Sequence, residues 1–241
     1  MAYTDDALIQ FERYGAIPLP PHSEYEGHLE QDGVFIWHAR FSPYHAHPGR
    51  VVVLLHGGLG HSGNWGFQIP ALQDAGYDVL VIDSRGHGRS MRDERPYFYA
   101  QMAKDLLAVM DAQGIERAAL VGWSDGAVTG LLTALQAPER VAGLLYFACN
   151  VDPSGTKEFT MEPDSPLARC FARHRVDYRE LSATPEAFDE FCEAVGAMQR
   201  TQPNITAEEL RSVAVPVTVV QAEHDEFIRL EHAQYLAATI P

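Results

Sequence analysis

Gly122-Trp123-Ser124-Asp125-Gly126 follows a short apolar run, Ala118–Val121, and opens a helical stretch. In a G-x-S-x-G turn the serine occupies a strained corner between strand and helix, and small flanking residues let the backbone fold tightly enough to expose the hydroxyl. Glycine and serine also recur in inert turns, so the pentapeptide alone is only moderately specific. The strand before it and the helix after it make Ser124 a candidate nucleophile. A helix starting there aims its free amides and positive dipole end at the place where an oxyanion would form in acyl transfer. The Asp125 amide is therefore the first expected donor. The second is expected from the loop after Leu55, His56-Gly57-Gly58-Leu59-Gly60, with Gly58 the choice and Leu59 the alternative.

Outward from the elbow the chain alternates between two periods. Leu29–Gly33 ends a strand in a turn and Val34–Phe41 supplies its partner, an antiparallel opening hairpin. Arg50–Leu55, Asp78–Ile82, Ala118–Val121, Gly143–Cys149 and Pro216–Gln221 are Val/Leu-rich runs of the kind buried on both faces of a parallel sheet. Helical segments lie between them: Trp65–Ala75, Tyr97–Gln113 with Met102, Leu106 and Met110 on one face, and the stretch beyond Ser124. The alternation predicts an α/β fold with a doubly wound, mostly parallel sheet.

Pro153–Ser212 breaks the rhythm with about sixty residues that carry no strong strand signal, too long for a structureless loop in a compact domain. A helical lid is predicted there. Thr184-Pro185 reads as N-cap and N1 of one helix, Phe188, Phe191, Cys192, Val195 and Met198 share a face, and Thr206 with Glu209 forms a capping box. The expected organisation is a core of residues 1–152 and 213–241 and a lid of residues 153–212.

The formal charge of -15 and the lack of any Lys/Arg cluster argue against nucleic acid and anionic lipid surfaces as partners. Cys149, Cys170 and Cys192 are widely spaced, with no Cys-x-x-Cys pair for zinc or redox chemistry, and are expected to be reduced and buried. Met1–Gln10 has no basic n-region, and the longest apolar run, Val141–Cys149, is too short to cross a bilayer, so a cytoplasmic protein is expected.

Three motifs in order carry a resemblance. His56-Gly57-Gly58, Asp83-Ser84-Arg85-Gly86-His87-Gly88-Arg89-Ser90 and Gly122–Gly126 resemble the oxyanion loop, the Asp-x-Arg-Gly-x-Gly-x-Ser turn and the elbow of α/β-hydrolases of the esterase, lactonase and C–C hydrolase type, over roughly Glu26–Pro241. The resemblance implies a serine hydrolase of a small ester, lactone or related acyl compound, working through an acyl-enzyme and without cofactor or metal. It also implies a catalytic acid after the strand that follows the lid. Asp225, within Glu223-His224-Asp225-Glu226, matches that place, and Asp152 is the lesser candidate.

The family's base, a histidine after one further strand, has no counterpart, because the chain stops sixteen residues after Asp225. The C-terminal edge of the sheet is thus expected to be missing, and this form to be inactive or impaired. An open edge at Val217–Gln221 is also compatible with self-association into a homo-oligomer. The alternatives are a ligand-binding pseudo-hydrolase and a cofactor-free perhydrolase.

The other marked residues have plainer readings. His56 and His87 are expected to be hydrogen-bonded structural histidines, and His45-Ala46-His47 a solvated loop rather than a metal site. His232, on the last helix, is expected to face solvent. Phe159, Phe171, Phe188 and Phe191 are expected in the lid core. Leu59, Trp65 and Trp123 are pocket candidates, although packing explains the tryptophans equally well.

Overall fold

The computed structural model describes residues 6–16, 19–44 and 49–241; His45-Ala46-His47 lies outside them. Among the described residues a seven-stranded sheet runs in the order β1-β2-β4-β3-β5-β6-β7. Its strands are β1 (Tyr25–Gln31), β2 (Val34–Phe41), β3 (Val51–Leu55), β4 (Asp78–Ile82), β5 (Ala118–Trp123), β6 (Val141–Phe147) and β7 (Val217–Val220). β1 and β2 form the predicted hairpin. Asp32 and Gly33, both at positive φ, close it in the left-handed pair that matches strand twist. β2 joins β4 antiparallel, and β4, β3, β5, β6 and β7 are mutually parallel.

Alternation along the central strands divides the apolar residues between two faces. Val53, Leu55, Leu80, Ile82 and Leu120 point into the larger core with α3 (Tyr99–Ala112) and α4 (Asp125–Gln136). Val52, Leu54, Val79 and Val81 point into the smaller core, which holds Trp37, Trp65 and Ile69 of α2 (Gln68–Asp74). Helices on both faces are what the βα alternation requires. β7 departs from the expectation of burial on both faces: among the described residues it pairs only with β6, Thr218 is exposed, and Val217 and Val219 are only partly covered.

Residues 153–212 hold three helices, α5 (Pro166–Leu181), α6 (Phe188–Thr201) and α7 (Ala207–Arg211), and α1 (Asp6–Tyr14) packs against α5. The Thr206–Glu209 capping box forms as predicted. Thr184-Pro185 does not start α6. It begins a turn closed by Ala187 N–H to Thr184 O, and the helix starts at Phe188, whose first turn is not closed by a side-chain cap. Phe188, Phe191, Val195 and Met198 are buried as expected, with Phe191 stacked on Tyr178 of α5 at 4.7 Å. Phe159 instead is exposed, edge-on to Phe227. Of the three cysteines only Cys149 is buried; Cys170 and Cys192 are half-buried. α8 (Leu230–Thr239) follows β7 and contributes Leu236 to the larger core.

Candidate active site

β5 delivers the chain to the elbow, and the local geometry explains its glycines. Ser124 sits at φ 53 and ψ -124, a conformation that costs a non-glycine residue ~1–3 kcal/mol and persists only when the surroundings enforce it. They do so through Ser124 N–H, which donates to Phe147 O of β6 at 2.9 Å, and through Ala127 N–H, which donates back to Ser124 O at 2.8 Å. A side chain at Gly126 would lie 2.2 Å from Leu55 O, so α4 rests directly on the backbone leaving β3. The serine is half-buried at the N-terminus of a 12-residue helix, where amides and dipole favour negative charge.

The loop after β3 lies against this corner. A Cβ at Gly57 would be 3.0 Å from Ser124 Cβ, and one at Gly58 would be 2.7 Å from Asp125 Oδ2 and 2.6 Å from Gln199 Nε2 of α6. Leu59 holds φ 62 in the tight turn closed by Gly60 N–H to Gly57 O. The structure therefore brings together Ser124, Asp125, Gly57 and Gly58. The Asp125 carboxyl is buried and accepts from Tyr99 Oη at 2.8 Å and from Gln199 Nε2 at 3.1 and 3.0 Å. Burial raises its pKa, against the opposing pull of those hydrogen bonds. Gln199 and Tyr99 escaped sequence reasoning: Gln199 is 74 positions from its partner and carries no local motif.

The remaining motif residues build the frame. His56 Nδ1–H donates to Gly57 O at 2.8 Å and its Nε2 accepts from Ser84 N–H at 2.9 Å, so both ring nitrogens are committed. Asp83 accepts from Ser62 N–H and from Arg89 N–H and Nη1, tying the turn after β4 to the loop after β3. Arg85 forms a buried two-point pair with Asp105, and Ser90 Oγ donates to Asp83 O. His87 Nδ1–H donates to Arg85 O with its ring edge-on to Phe191 at 4.7 Å; burial drives its pKa down to about 3. Both histidines are structural.

Asp225 lies in the loop beyond β7, which is two strands along the sheet from β5 and the elbow. Its Oδ1 accepts from Phe227 and Ile228 N–H, both at 2.8 Å, so the carboxylate also closes its own turn. Asp152 instead caps a 3-10 turn through Ser154 N–H. Trp65 is packed in the smaller core, whereas Trp123, half-buried at the end of β5, adjoins Gly57.

His232 does not face solvent. It is buried, with Nε2 accepting from Val151 N–H at 3.0 Å, because a bridge between Thr156 and Ile228 and the bond from Arg229 N–H to Gly155 O draw α8 onto the segment after β6. No histidine among the described residues is hydrogen-bonded to the Ser124 hydroxyl. None of the described His, Cys, Asp and Glu residues group in threes suited to a metal ion.

The family model described as the alpha/beta hydrolase fold matches residues 50–159, the segment that carries all three motifs. The chain belongs to the α/β-hydrolase fold family. Among curated proteins it is 36% identical over 170 residues to the protein named "Putative carbamate hydrolase RutD" of Caulobacter vibrioides, a match covering 69% of this chain and 59% of that protein. Among solved structures it is similar to Est816, described as an N-acyl homoserine lactone degrading enzyme, at 26% identity and TM-score 0.62, covering 89% of this chain and 88% of that one. The enol-lactonase of Burkholderia xenovorans LB400 shares the fold at 21% identity and TM-score 0.67, covering 88% of this chain and 87% of that one. Matches to the first curated relatives thus span about half to three-fifths of those proteins.

Proposed function

We propose that the chain carries the nucleophile and oxyanion hole of a serine hydrolase acting on a small ester, lactone or related acyl compound such as a carbamate. The observation that carries this reading is Ser124 at φ 53, at the head of α4 and in contact range of the loop after β3. Ser124 would attack the acyl carbonyl, the Asp125 and Gly58 amides would hold the oxyanion, and the acyl-enzyme would then be hydrolysed. Asp225 would orient an imidazole lying between it and the elbow. Since His56, His87 and His232 are committed elsewhere and no histidine among the described residues is hydrogen-bonded to the Ser124 hydroxyl, that imidazole is proposed to come from outside the described residues or from a partner chain.

Residues 153–212 would act as the lid over the site, the packing of α6 against the turn after β4 holding it in place. Names among the relatives, carbamate hydrolase and lactone-degrading enzyme, support small acyl substrates. The net charge of -15 disfavours nucleic acid, and no helix among the described residues is long and apolar enough to cross a membrane.

The test is reaction with a fluorophosphonate probe and hydrolysis of activated esters, by the complete-length protein and its Ser124→Ala variant. Labelling confined to Ser124 supports the reading; ester turnover retained in Ser124→Ala refutes it. The second reading, a ligand-binding pseudo-hydrolase, is favoured by the lack, among the described residues, of a base hydrogen-bonded to Ser124. It predicts small-molecule binding with no labelling at all.

A further inference from the structure

The contact between α6 and the elbow has a direct bearing on the reaction. Gln199 Nε2 is within hydrogen-bond distance of both carboxyl oxygens of Asp125 and fills the space over the Gly58 Cα where a side chain would stand. Asp125 and Gly58 are the two residues whose backbone amides are proposed to hold the oxyanion. We propose that Gln199 is a positioning residue that clamps both oxyanion-hole peptides from the lid, so that docking of α6 assembles the hole. The proposal rests on the serine-hydrolase reading above.

Three features support a clamp rather than incidental packing. Asp125 is buried, so its carboxyl depends on protein donors, and among the described residues Tyr99 and Gln199 supply them. Gln199 itself is exposed and reaches inward to the carboxyl, so the docked arrangement of α6 adds a second protein donor at Asp125, in the first turn of α4. Gly58, lacking a Cβ, is what permits the amide to reach so close to both peptides.

The test uses Gln199→Ala, Gln199→Glu and the double exchange Asp125→Asn with Gln199→Glu. The double exchange restores an amide–carboxylate pair with its polarity reversed and leaves an acceptor for Tyr99. For p-nitrophenyl acetate, kcat is expected to fall about 10-fold in Gln199→Ala with KM changed by less than about 3-fold. Gln199→Glu, which sets two carboxyls against each other, is expected to lose more and to recover as pH falls. The double exchange is expected to regain a substantial part of kcat. In parallel, backbone order parameters of the Gly58 and Asp125 amides should drop from about 0.85 toward about 0.6 in Gln199→Ala and return in the double exchange.

Unchanged kcat, a loss confined to KM, or a loosening spread along α6 without change at Gly58 and Asp125 would overturn the clamp. A complete-length wild-type protein with no Ser124-dependent turnover would instead sink the hydrolase reading, while the order parameters would still accept or reject the clamp.

Discussion

Gly126→Ala tests whether the elbow is held by backbone contact, as its geometry states. An added methyl would stand 2.2 Å from Leu55 O, 2.5 Å from Leu55 C and 2.7 Å from His56 O, all main-chain atoms of the strand end that α4 rests on. Ordinary contact needs about 3.4 Å or more, so helix or strand must move by about 1 Å, in a core packed to crystal density. Overpacking typically costs ~1–3 kcal/mol and occasionally more, and ~3–4 kcal/mol is expected here because backbone rather than a flexible side chain must yield. Alanine returns ~1 kcal/mol through helix propensity. The net loss is ~2–3 kcal/mol, equivalent to a fall in Tm of about 4–12 °C for a chain of this length.

Two glycines elsewhere supply the control. At Gly130, on the same helix, a methyl would meet Leu144 Cδ1 at 2.8 Å, and at Gly196 on α6 it would meet Arg200 Nη1 at 3.0 Å; both are ends of flexible side chains. The same propensity gain applies at each, so Gly130→Ala is expected within ~1 kcal/mol of wild type and Gly196→Ala to be stabilised by ~0.5–1 kcal/mol. Urea unfolding and calorimetry of the three variants measure the differences. If Gly126→Ala proves as stable as Gly196→Ala, the account of the elbow is wrong.

His232→Ala is expected to cost ~1–3 kcal/mol in urea unfolding, because it strips the acceptor from the buried Val151 N–H; a value within about 0.5 kcal/mol would indicate the solvent-facing residue expected from sequence. Phe191→Ala removes a fully buried ring packed on Tyr178 and His87 and is expected to cost ~3–5 kcal/mol, read as a lower urea midpoint. Burial lowers the folded-state pKa of His87 to about 3 and of His174 to about 4, whereas the unfolded chain titrates both near 6.5. The unfolded state thus binds more protons below pH 6.5, so their stabilisation is complete above that pH. It is lost on acidification, at up to about 2.7 kcal/mol per pH unit while both differ. Unfolding midpoints that stay level from pH 7 to pH 4.5 would contradict it.

Local spacing made the central sheet legible. Asp78–Ile82 is a strand over the predicted residues, and the Val/Leu runs lie in the two cores because a two-residue period needs no knowledge of partners. The elbow was legible for the same reason: Gly122, Ser124 and Gly126 act within one turn. Thr184-Pro185 misled because a good N-cap pair also makes a good turn, and tertiary packing starts α6 at Phe188 instead. His232 and Gln199 were hidden for a different reason. Their partners, Val151 and Asp125, are 81 and 74 positions away, and helix periodicity says which face a residue occupies but not what covers it.

The same distinction bears on whether the site is a relic or a working one. A pocket that only binds has no use for a serine held at φ 53, and relaxing that residue would recover ~1–3 kcal/mol. Here the strain is enforced from several directions: β6 through the Ser124 amide, β3 beneath Gly126, and the loop after β3 against the Ser124 side chain. Asp125 is enforced again by Tyr99 from α3 and Gln199 from α6. Such agreement between elements far apart in sequence places the cost where a nucleophile and an oxyanion would need it. That is the physical ground for favouring the hydrolase over the inert binder, and fluorophosphonate labelling of Ser124 in the complete-length protein is the measurement that decides between them.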